Sequence, residues 1–121
     1  MKKLISIILS LFALVGCSSN TYEQMEMNEG VEAFRNDSSS ILVDVRRVDE
    51  FNSGHVPGAI NVVNEEIDES VTEILKDKNQ TIYVYCRSGN RSKQAAEKLV
   101  NLGYKHIIEI GGILDYKGEL E

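Results

Sequence analysis

The feature that most constrains the fold is a short apolar run that leads into a glycine-containing loop and then into a helical pattern. Residues 81–85 read Thr-Ile-Tyr-Val-Tyr, and the segment from Cys86 to Ser92 reads Cys-Arg-Ser-Gly-Asn-Arg-Ser. A buried strand followed by a loop and a helix is the repeating unit of parallel sheets, whose ligands bind at the carboxyl ends of the strands. The pattern therefore predicts that Cys86 lies at that edge.

The rest of the chain continues the alternation of strands and helices. Apolar, β-branched runs of strand length indicate buried strands, whereas apolar residues at helical spacing indicate helices. The predicted strands are residues 22–25, 41–45, 59–63, 81–85 and 106–110, and the predicted helices are residues 28–36, 67–76 and 92–101. In the second of these helices Ile67, Val71, Ile74 and Leu75 are expected to face the core. The alternation predicts an α/β domain with a parallel sheet covered on both faces.

The loop after residue 85 has the composition of an anion-binding site beside a reactive thiol. Gly89 allows backbone angles that bring N–H groups together, and the start of the helix adds further free N–H groups. Arg87 and Arg91 add positive charge. We expect the loop to hold an anion and to favour the thiolate of Cys86, which would make this residue a nucleophile. The alternative is a buried, inert cysteine.

The first residues have the pattern of an export signal. Two lysines precede an apolar run over residues 4–15, which is shorter than the roughly 20 residues that span a bilayer. A buried or membrane-spanning N-terminal helix is the alternative. Leu14, Val15, Gly16 and Cys17 resemble the lipoprotein box of bacteria, in which cleavage precedes a cysteine that is acylated.

The lipoprotein resemblance implies a signal peptide over residues 1–16 and a lipidated Cys17 within a tether over residues 17–21. Several acyl chains would anchor the exported protein stably to a bacterial membrane, on the outer face of the cytoplasmic membrane or on the periplasmic side. Ordinary signal cleavage with an unmodified Cys17 is the alternative. If Cys17 is lipidated, Cys86 is the one free thiol of a chain with two cysteines. A lone thiol in an oxidising compartment needs a reason, and a chemical role for Cys86 is the leading one.

Charge and composition exclude some partners. The formal net charge is −6, which argues against nucleic-acid binding and against electrostatic adhesion to anionic lipid. We therefore expect the acyl anchor to hold the membrane without help from charge. The two histidines, His55 and His106, are far apart in the sequence and make no metal motif, so no metal site is expected.

Four segments, taken together and in this order, resemble the rhodanese family of sulfurtransferases. They are Asp44-Val45-Arg46, residues 50–61, the loop from Cys86 to Ser92, and residues 111–116 with the sequence Gly-Gly-Ile-Leu-Asp-Tyr. The resemblance covers about residues 22–118. It implies a rhodanese-like three-layer sandwich over residues 22–121, in which a parallel five-stranded sheet lies between helices.

The resemblance also implies a reaction. The Cys86 thiolate would attack the outer sulfur of a small anionic donor, thiosulfate or a persulfide, and the resulting Cys86 persulfide would pass its sulfur to a thiol or to cyanide. No metal or organic cofactor is implied. Arg87 would line the pocket and Arg91 would fix the far end of the loop. The residues that would bind substrate are Arg87, Ser88, Gly89, Asn90 and Arg91.

Two residues at the end of the second strand are expected to support the loop. A buried carboxylate is costly without a partner, so Asp44 is expected to pair with a loop arginine, with a strand-end cap as the alternative. Arg46 is expected to add positive charge to the rim of the site, or to be a solvated charge. His55 and Pro57 are expected to shape a turn rather than to act in catalysis.

Two other functions stay open. Related folds bind phosphate or arsenate with a Cys-to-Arg loop, but phosphatase loops place five residues between the two, whereas four separate Cys86 from Arg91 here. The second alternative is a non-enzymatic persulfide carrier or redox sensor at the membrane. The chain departs from the family at Tyr116, where tryptophan is common, and in its short tail, which is expected to loosen the cover of one edge.

Overall fold

The computed structural model describes residues 21–121. The predicted signal peptide, the lipidated Cys17 and the tether up to residue 20 lie outside the described residues. The strands are β1 (Glu23–Gln24), β2 (Ile41–Asp44), β3 (Ile60–Asn61), β4 (Thr81–Cys86) and β5 (His106–Gly112). The α-helices of this part are α1 (Met27–Arg35), α2 (Val48–Asn52) and α3 (Asn90–Asn101). Short 3-10 helices comprise Asn64–Glu66, Glu69–Glu73 and Ile113–Asp115.

The five strands form one parallel sheet in the order β1-β5-β4-β2-β3, which confirms the predicted architecture. β4 is the central strand, between β2 and β5. Since the carboxyl ends of parallel strands meet at the same edge, the ends of β2, β4 and β5 bring Asp44, Cys86 and Gly112 to one side of the molecule.

Both faces of β4 are covered, which explains why its sequence is almost continuously apolar. Ile82, Val84 and Cys86 pack in the cluster that includes α3, whereas Tyr83 and Tyr85 pack in the cluster that includes α1. This alternation directs Cys86 toward α3. The two clusters lie on opposite faces of the sheet. Full burial of each large apolar side chain stabilises the fold by about 1.5–3 kcal/mol.

The segment over residues 67–76 is not the predicted α-helix. It contains a 3-10 helix over Glu69–Glu73, whose start is fixed by the Asp68 side chain accepting the Ser70 N–H at 2.9 Å. Val71 and Leu75 are buried as predicted, but Ile74 is 57% exposed, so its expected place in the core is wrong. The tighter 3-10 turn rotates successive side chains differently from an α-helix, and this moves Ile74 to the surface.

Other boundaries also differ from the pattern. β3 is an edge strand that pairs through two residues only, so it is shorter than the predicted strand over residues 59–63. The short helix α2 was not predicted from the sequence. No helix among residues 21–121 has the length and apolar character that a membrane crossing requires.

A bulge interrupts the pairing of β4 with β5 beside Cys86. Between the pair Val84–Glu109 and the pair Cys86–Gly112, β5 contributes two residues where β4 contributes one. Bulges bend a strand and change the direction of the side chains next to them. This one separates the end of β5 from the regular ladder at the point where the Cys86 loop begins.

Candidate active site

The Cys86 loop, residues 86–91, connects the end of β4 to the start of α3. Cys86 is the last residue of β4, and Gly89 stands at the N-cap of α3 with a φ of 115°. Side chains other than glycine rarely adopt such an angle, so glycine allows the sharp turn back over the thiol. The prediction that Cys86 ends a strand and faces a helix N-terminus is confirmed.

The sulfur atom of Cys86 lies beneath this turn. The residue is 1% exposed, and the Gly89 N–H donates to its Sγ at 2.9 Å. The Ser92 Oγ lies 3.3 Å from Sγ, in a geometry in which the thiol donates to the hydroxyl. A backbone N–H directed at the sulfur can stabilise negative charge there.

The end of β5 supports the loop from below through a close backbone approach. A Cβ atom at Gly112 would lie 2.1 Å from the Arg87 carbonyl oxygen, so only glycine fits this position. The same Arg87 carbonyl accepts the Leu114 N–H at 3.2 Å. The two contacts fix the first turn of the loop against β5, and the first of them accounts for the second glycine of the Gly-Gly segment.

A buried carboxylate, which the sequence analysis missed, lies on the β5 side of the loop. Glu109 is 2% exposed, and its Oε2 accepts the Ser92 hydroxyl at 2.5 Å and the Gly111 N–H at 2.8 Å. Its Oε1 accepts from the Gln24 side-chain amide at 3.2 Å. None of the ion pairs among the described residues involves Glu109. The available signal was a single acidic residue within the apolar run of β5.

Arg91 lies on the opposite side of the loop and is held by α2. Its Nη1 and Nη2 donate to the two carboxylate oxygens of Glu50 at 2.7 and 3.1 Å. The hydrogen bonds from Arg91 lower the pKa of Glu50 from 4.5 to about 2, although partial burial opposes the shift. The Glu50 carboxylate in turn raises the pKa of Arg91. Arg91 is therefore placed to fix the far end of the loop, and its charge is already compensated.

The expected partner of Asp44 is wrong. Asp44 pairs with neither loop arginine but with Arg46, whose Nη2 lies 2.7 Å from Asp44 Oδ2. Asp44 Oδ1 also accepts the Arg46 N–H at 2.9 Å, so the chain turns tightly just after β2 and brings the two side chains together. The Asp-x-Arg spacing was the signal for this pair.

The expected position of Arg46 is also wrong. Arg46 is 6% exposed and is neither part of a positive rim nor a solvated charge. Besides Asp44, its Nη2 donates to the Gly54 carbonyl at 2.7 Å. A buried guanidinium requires this number of acceptors, so the pair supports the chain after β2 rather than the substrate.

The outer residues of the loop are open to solvent. Arg87, Ser88 and Asn90 are exposed, and their side chains make no hydrogen bond to the described residues. Clefts lie on both sides of the loop. One, of about 560 Å³, is lined in part by Arg47, Val48 and Arg91. The other, of about 470 Å³, is lined in part by Ser88, Gly89, Lys93, Glu109 and Gly111.

The remaining candidates lie away from the thiol. The His55 ring stacks on Phe51 with ring centres 3.7 Å apart, and its nitrogen atoms lie 2.9 Å from the Phe51 carbonyl and 3.2 Å from the Glu121 carboxylate. These contacts are those of a residue that holds a turn and the tail. Within residues 21–121 no three side chains of the histidine, cysteine or acidic type form a metal-binding group.

Comparisons with known proteins agree with this geometry. The model of the rhodanese-like domain family matches residues 27–119. Thiosulfate sulfurtransferase PspE of Escherichia coli is 41% identical over 73 residues, which cover 60% of this chain and 70% of the relative. A solved structure of a rhodanese with anions from E. coli has a TM-score of 0.63 and 36% identity, and the match covers 68% of this chain and 96% of that one.

A second kind of relative is a carrier rather than a named enzyme. The putative sulfur carrier protein YrkF of Bacillus subtilis is 32% identical over 96 residues, which cover 75% of this chain. The aligned part is 51% of that relative, so the match extends over about half of its length. Relatives of both kinds handle sulfur by name.

Proposed function

The chain belongs to the rhodanese-like domain family, and we propose that it transfers sulfane sulfur from thiosulfate or a persulfide to a thiophilic acceptor through a persulfide on Cys86. The coarser statement, that it is a sulfurtransferase or a sulfur carrier, follows from the family and from its relatives. The donor, the acceptor and the persulfide intermediate are the parts that we propose.

The reaction has two balanced steps. The Cys86 thiolate attacks the outer sulfur of thiosulfate, the new S–S bond forms as the S–S bond of the donor breaks, and sulfite leaves with the bonding electron pair. The terminal sulfur then carries one negative charge. Cyanide or a thiolate attacks that sulfur, forms thiocyanate or a new persulfide, and returns Cys86 as a thiolate.

One observation carries the proposal: the Gly89 N–H lies 2.9 Å from Cys86 Sγ, at a helix N-terminus. A hydrogen-bond donor already directed at Sγ stabilises the attacking thiolate without reorganisation. Arg87 is exposed on the same loop and supplies a positive charge for an anionic donor. Arg91 is less available for this task because Glu50 holds its guanidinium.

The ion pair between Arg91 and Glu50 argues against a phosphatase or an arsenate reductase. A loop that binds a tetrahedral oxyanion needs an arginine free to donate two hydrogen bonds to it. Here Arg91 donates to both oxygens of Glu50, and only four residues separate it from Cys86. The sulfur-handling function fits these residues better.

The experiment is the intact mass of the full chain after incubation with thiosulfate. The chain carries Cys17→Ala, so that Cys86 is the one thiol, and the matched control also carries Cys86→Ser. We expect a gain of one sulfur atom that cyanide removes and that the control lacks. A mass that stays unchanged with thiosulfate and with a low-molecular-weight persulfide would contradict the proposal.

A carrier that relays sulfur without turnover is the second candidate, and the similarity to YrkF favours it. The two functions differ in rate rather than in intermediate. With thiosulfate and cyanide in excess, an enzyme forms many thiocyanate ions per Cys86, whereas a carrier forms about one and then waits for its own acceptor. Counting thiocyanate per protein therefore separates them.

We also propose that Cys17 is acylated and holds the domain at a bacterial membrane. The support is the sequence from Leu14 to Cys17 and the short tether that follows it. We expect Cys17→Ala to move the protein from the membrane fraction to the soluble fraction or to leave an uncleaved precursor, with Ser18→Ala as the matched control. A mature Cys17→Ala protein that stays in the membrane fraction would contradict lipid anchoring.

A further inference from the structure

A chain of hydrogen bonds connects the Cys86 thiol to a carboxylate that the proposed reaction does not use. The thiol lies 3.3 Å from Ser92 Oγ, and that hydroxyl lies 2.5 Å from Glu109 Oε2. The three residues come from β4, α3 and β5, and each is at most 2% exposed. A connected set of buried polar groups is costly unless every member has a partner, so its presence beside a reactive thiol needs an explanation.

The direction of these hydrogen bonds follows from which atoms can donate and which can accept. Ser92 has one hydroxyl proton, and the nearest of its acceptors is the Glu109 carboxylate; the Gly89 and Gly111 carbonyls are more distant, at 3.0 and 3.4 Å. The hydroxyl therefore donates to Glu109, and its lone pair accepts from the thiol. The order is thiol to hydroxyl to carboxylate.

Ion pairing does not explain Glu109. Among residues 21–121 it contacts no arginine or lysine within ion-pair distance, in contrast to Glu50 and Asp44. Its carboxylate oxygens instead accept three hydrogen bonds, from Ser92, Gly111 and Gln24. The hydroxyl that donates to this carboxylate is the one that the thiol contacts, so the geometry offers a path for a proton between the two groups.

We propose that Glu109 is a positioning residue that stores the proton of Cys86 while the sulfur is a thiolate or a persulfide. This inference rests on the proposed function of Cys86 as a nucleophile. When the thiol ionises, its proton passes to Ser92 Oγ, and the former hydroxyl proton of Ser92 passes to Glu109 Oε2. The carboxylic acid then donates to Ser92, and Ser92 donates to the sulfur.

The transfer balances in charge and in hydrogen bonds. Before it, the thiol is neutral and Glu109 carries the negative charge; after it, the sulfur carries the charge and Glu109 is neutral. One proton and one negative charge are present in both states, so no charge has to enter or leave the buried site. Every donor has an acceptor in both directions. The return of the thiol, after the acceptor has taken the sulfur, uses the same path in reverse.

Other ionisable groups lie near the hydrogen bonds that connect Cys86, Ser92 and Glu109, and their charges also affect the thiol. Several of these groups line the cleft that contains Glu109, and others interact by charge with Glu109 or with Cys86. They are Tyr22 and Glu26 on either side of β1, Arg91 and Lys93 on α3, and Asp115 after β5. Glu26 is the useful one for a control, because it is an exposed carboxylate that lines the same cleft without contact to Ser92.

The experiment measures thiolate at Cys86 without sulfur transfer. The full chain with Cys17→Ala, purified in mild detergent, is titrated from mildly acidic to alkaline pH by thiolate absorbance and by the rate of alkylation with iodoacetamide. With stored protons, the wild-type sequence keeps a thiolate fraction that changes little across the neutral range. Glu109→Gln should lose this plateau and react about tenfold more slowly at mildly acidic pH, with the difference vanishing at alkaline pH.

Three outcomes would overturn the proposal. If Glu109 acts only as a nearby negative charge, its removal favours the thiolate, and Glu109→Gln reacts at the same rate or faster near neutral pH. If Glu109 is only structural, the variant is slowed by one factor at every pH. If Glu26→Gln shifts the profile as Glu109→Gln does, the effect is one of general charge.

A second variant keeps the test independent of folding defects at Glu109. Ser92→Ala retains the carboxylate and removes the connecting hydroxyl, so it should also lose the plateau, with secondary structure checked by circular dichroism. A plateau that persists in a folded Ser92→Ala chain overturns the proposal. Alkylation needs no sulfur donor, so a failure of sulfur transfer with an intact plateau contradicts the proposed function alone.

Discussion

The two sides of the Cys86 loop hold their acidic side chains in different ways. On the β2 side, each carboxylate has an arginine: Asp44 pairs with Arg46, and Glu50 pairs with Arg91. On the β5 side, Glu109 has a hydroxyl and two N–H donors but no cation among the described residues. The β2 side therefore pairs its carboxylates with fixed positive charge, whereas the β5 side has a hydrogen-bonded path from its carboxylate to the thiol. Arg91 lowers the pKa of Glu50, whereas the hydrogen-bond donors of Glu109 are a hydroxyl, a backbone N–H and an amide.

The comparison also explains which side touches the sulfur. No ion pair of the β2 side includes the thiol, so this side holds the loop in place through backbone turns and α2. The β5 side reaches the thiol directly through Ser92. Variants on the β2 side should therefore change the stability of the fold first, and variants on the β5 side should change the chemistry of Cys86.

The largest effect on stability is expected from Asp44→Asn. Arg46 is 6% exposed, and the change leaves its guanidinium without a charged partner. Breaking a buried pair in this way costs about 3–5 kcal/mol. The measurement is the free energy of unfolding in urea. Asp49→Asn is the matched control, because Asp49 forms an exposed pair with Arg47 that solvent screens, so its loss should change the free energy of unfolding far less. Equal losses in the two variants would contradict the role given to burial.

A smaller loss of stability, of about 1–3 kcal/mol, is expected from Gly112→Ala on the β5 side. The new methyl group would meet the Arg87 carbonyl at 2.1 Å, so the loop has to move away from β5. We expect persulfide formation at Cys86 to fall with it, because the Gly89 N–H depends on the position of this loop. Intact mass after incubation with thiosulfate measures the second effect.

The neighbouring glycine provides the control for this variant. Gly111 has a φ of 92°, but a Cβ atom there would meet nothing within 4 Å. Gly111→Ala therefore tests backbone strain at this position, including any shift of its N–H from Glu109 Oε2, without a clash against Arg87, at about 1 kcal/mol. If it impairs persulfide formation as strongly as Gly112→Ala does, the close contact with Arg87 is not what holds the loop.

The sequence predicted the parts of the site that depend on local pattern. The apolar run of β4, the glycine at position 89 and the helical spacing after Ser92 are read within one segment, and the position of Cys86 follows from them. The partner of Asp44 was missed because pairing depends on the turn after β2, which apolar periodicity does not report. Glu109 was missed because its contact with Ser92 joins β5 to α3 across a bulge, and bulges leave no clear sequence pattern.

The helical prediction over residues 67–76 shows the same limit. Apolar spacing correctly identified Val71 and Leu75 as buried, but it did not distinguish an α-helix from a 3-10 turn followed by irregular chain. The local hydrogen bond from Ser70 to Asp68 decided the backbone, and the exposure of Ile74 followed. Patterns of burial are therefore more reliable here than the type of backbone that produces them.

The smallest effect is expected on stability at acidic pH, and it tests the ion pair between Glu50 and Arg91 on the β2 side of the loop. The pKa of Glu50 is lowered from 4.5 to about 2 by Arg91, so the ion pair stabilises the fold above the higher value and loses this effect as the pH falls toward the lower one. Glu50→Gln should cost about 1 kcal/mol at neutral pH. The difference in unfolding free energy between the wild-type chain and Glu50→Gln should shrink between the two values. A difference that stays constant would mean that Arg91 does not hold Glu50 in its ionised form, and the contrast between the two sides of the loop would then fail on the β2 side.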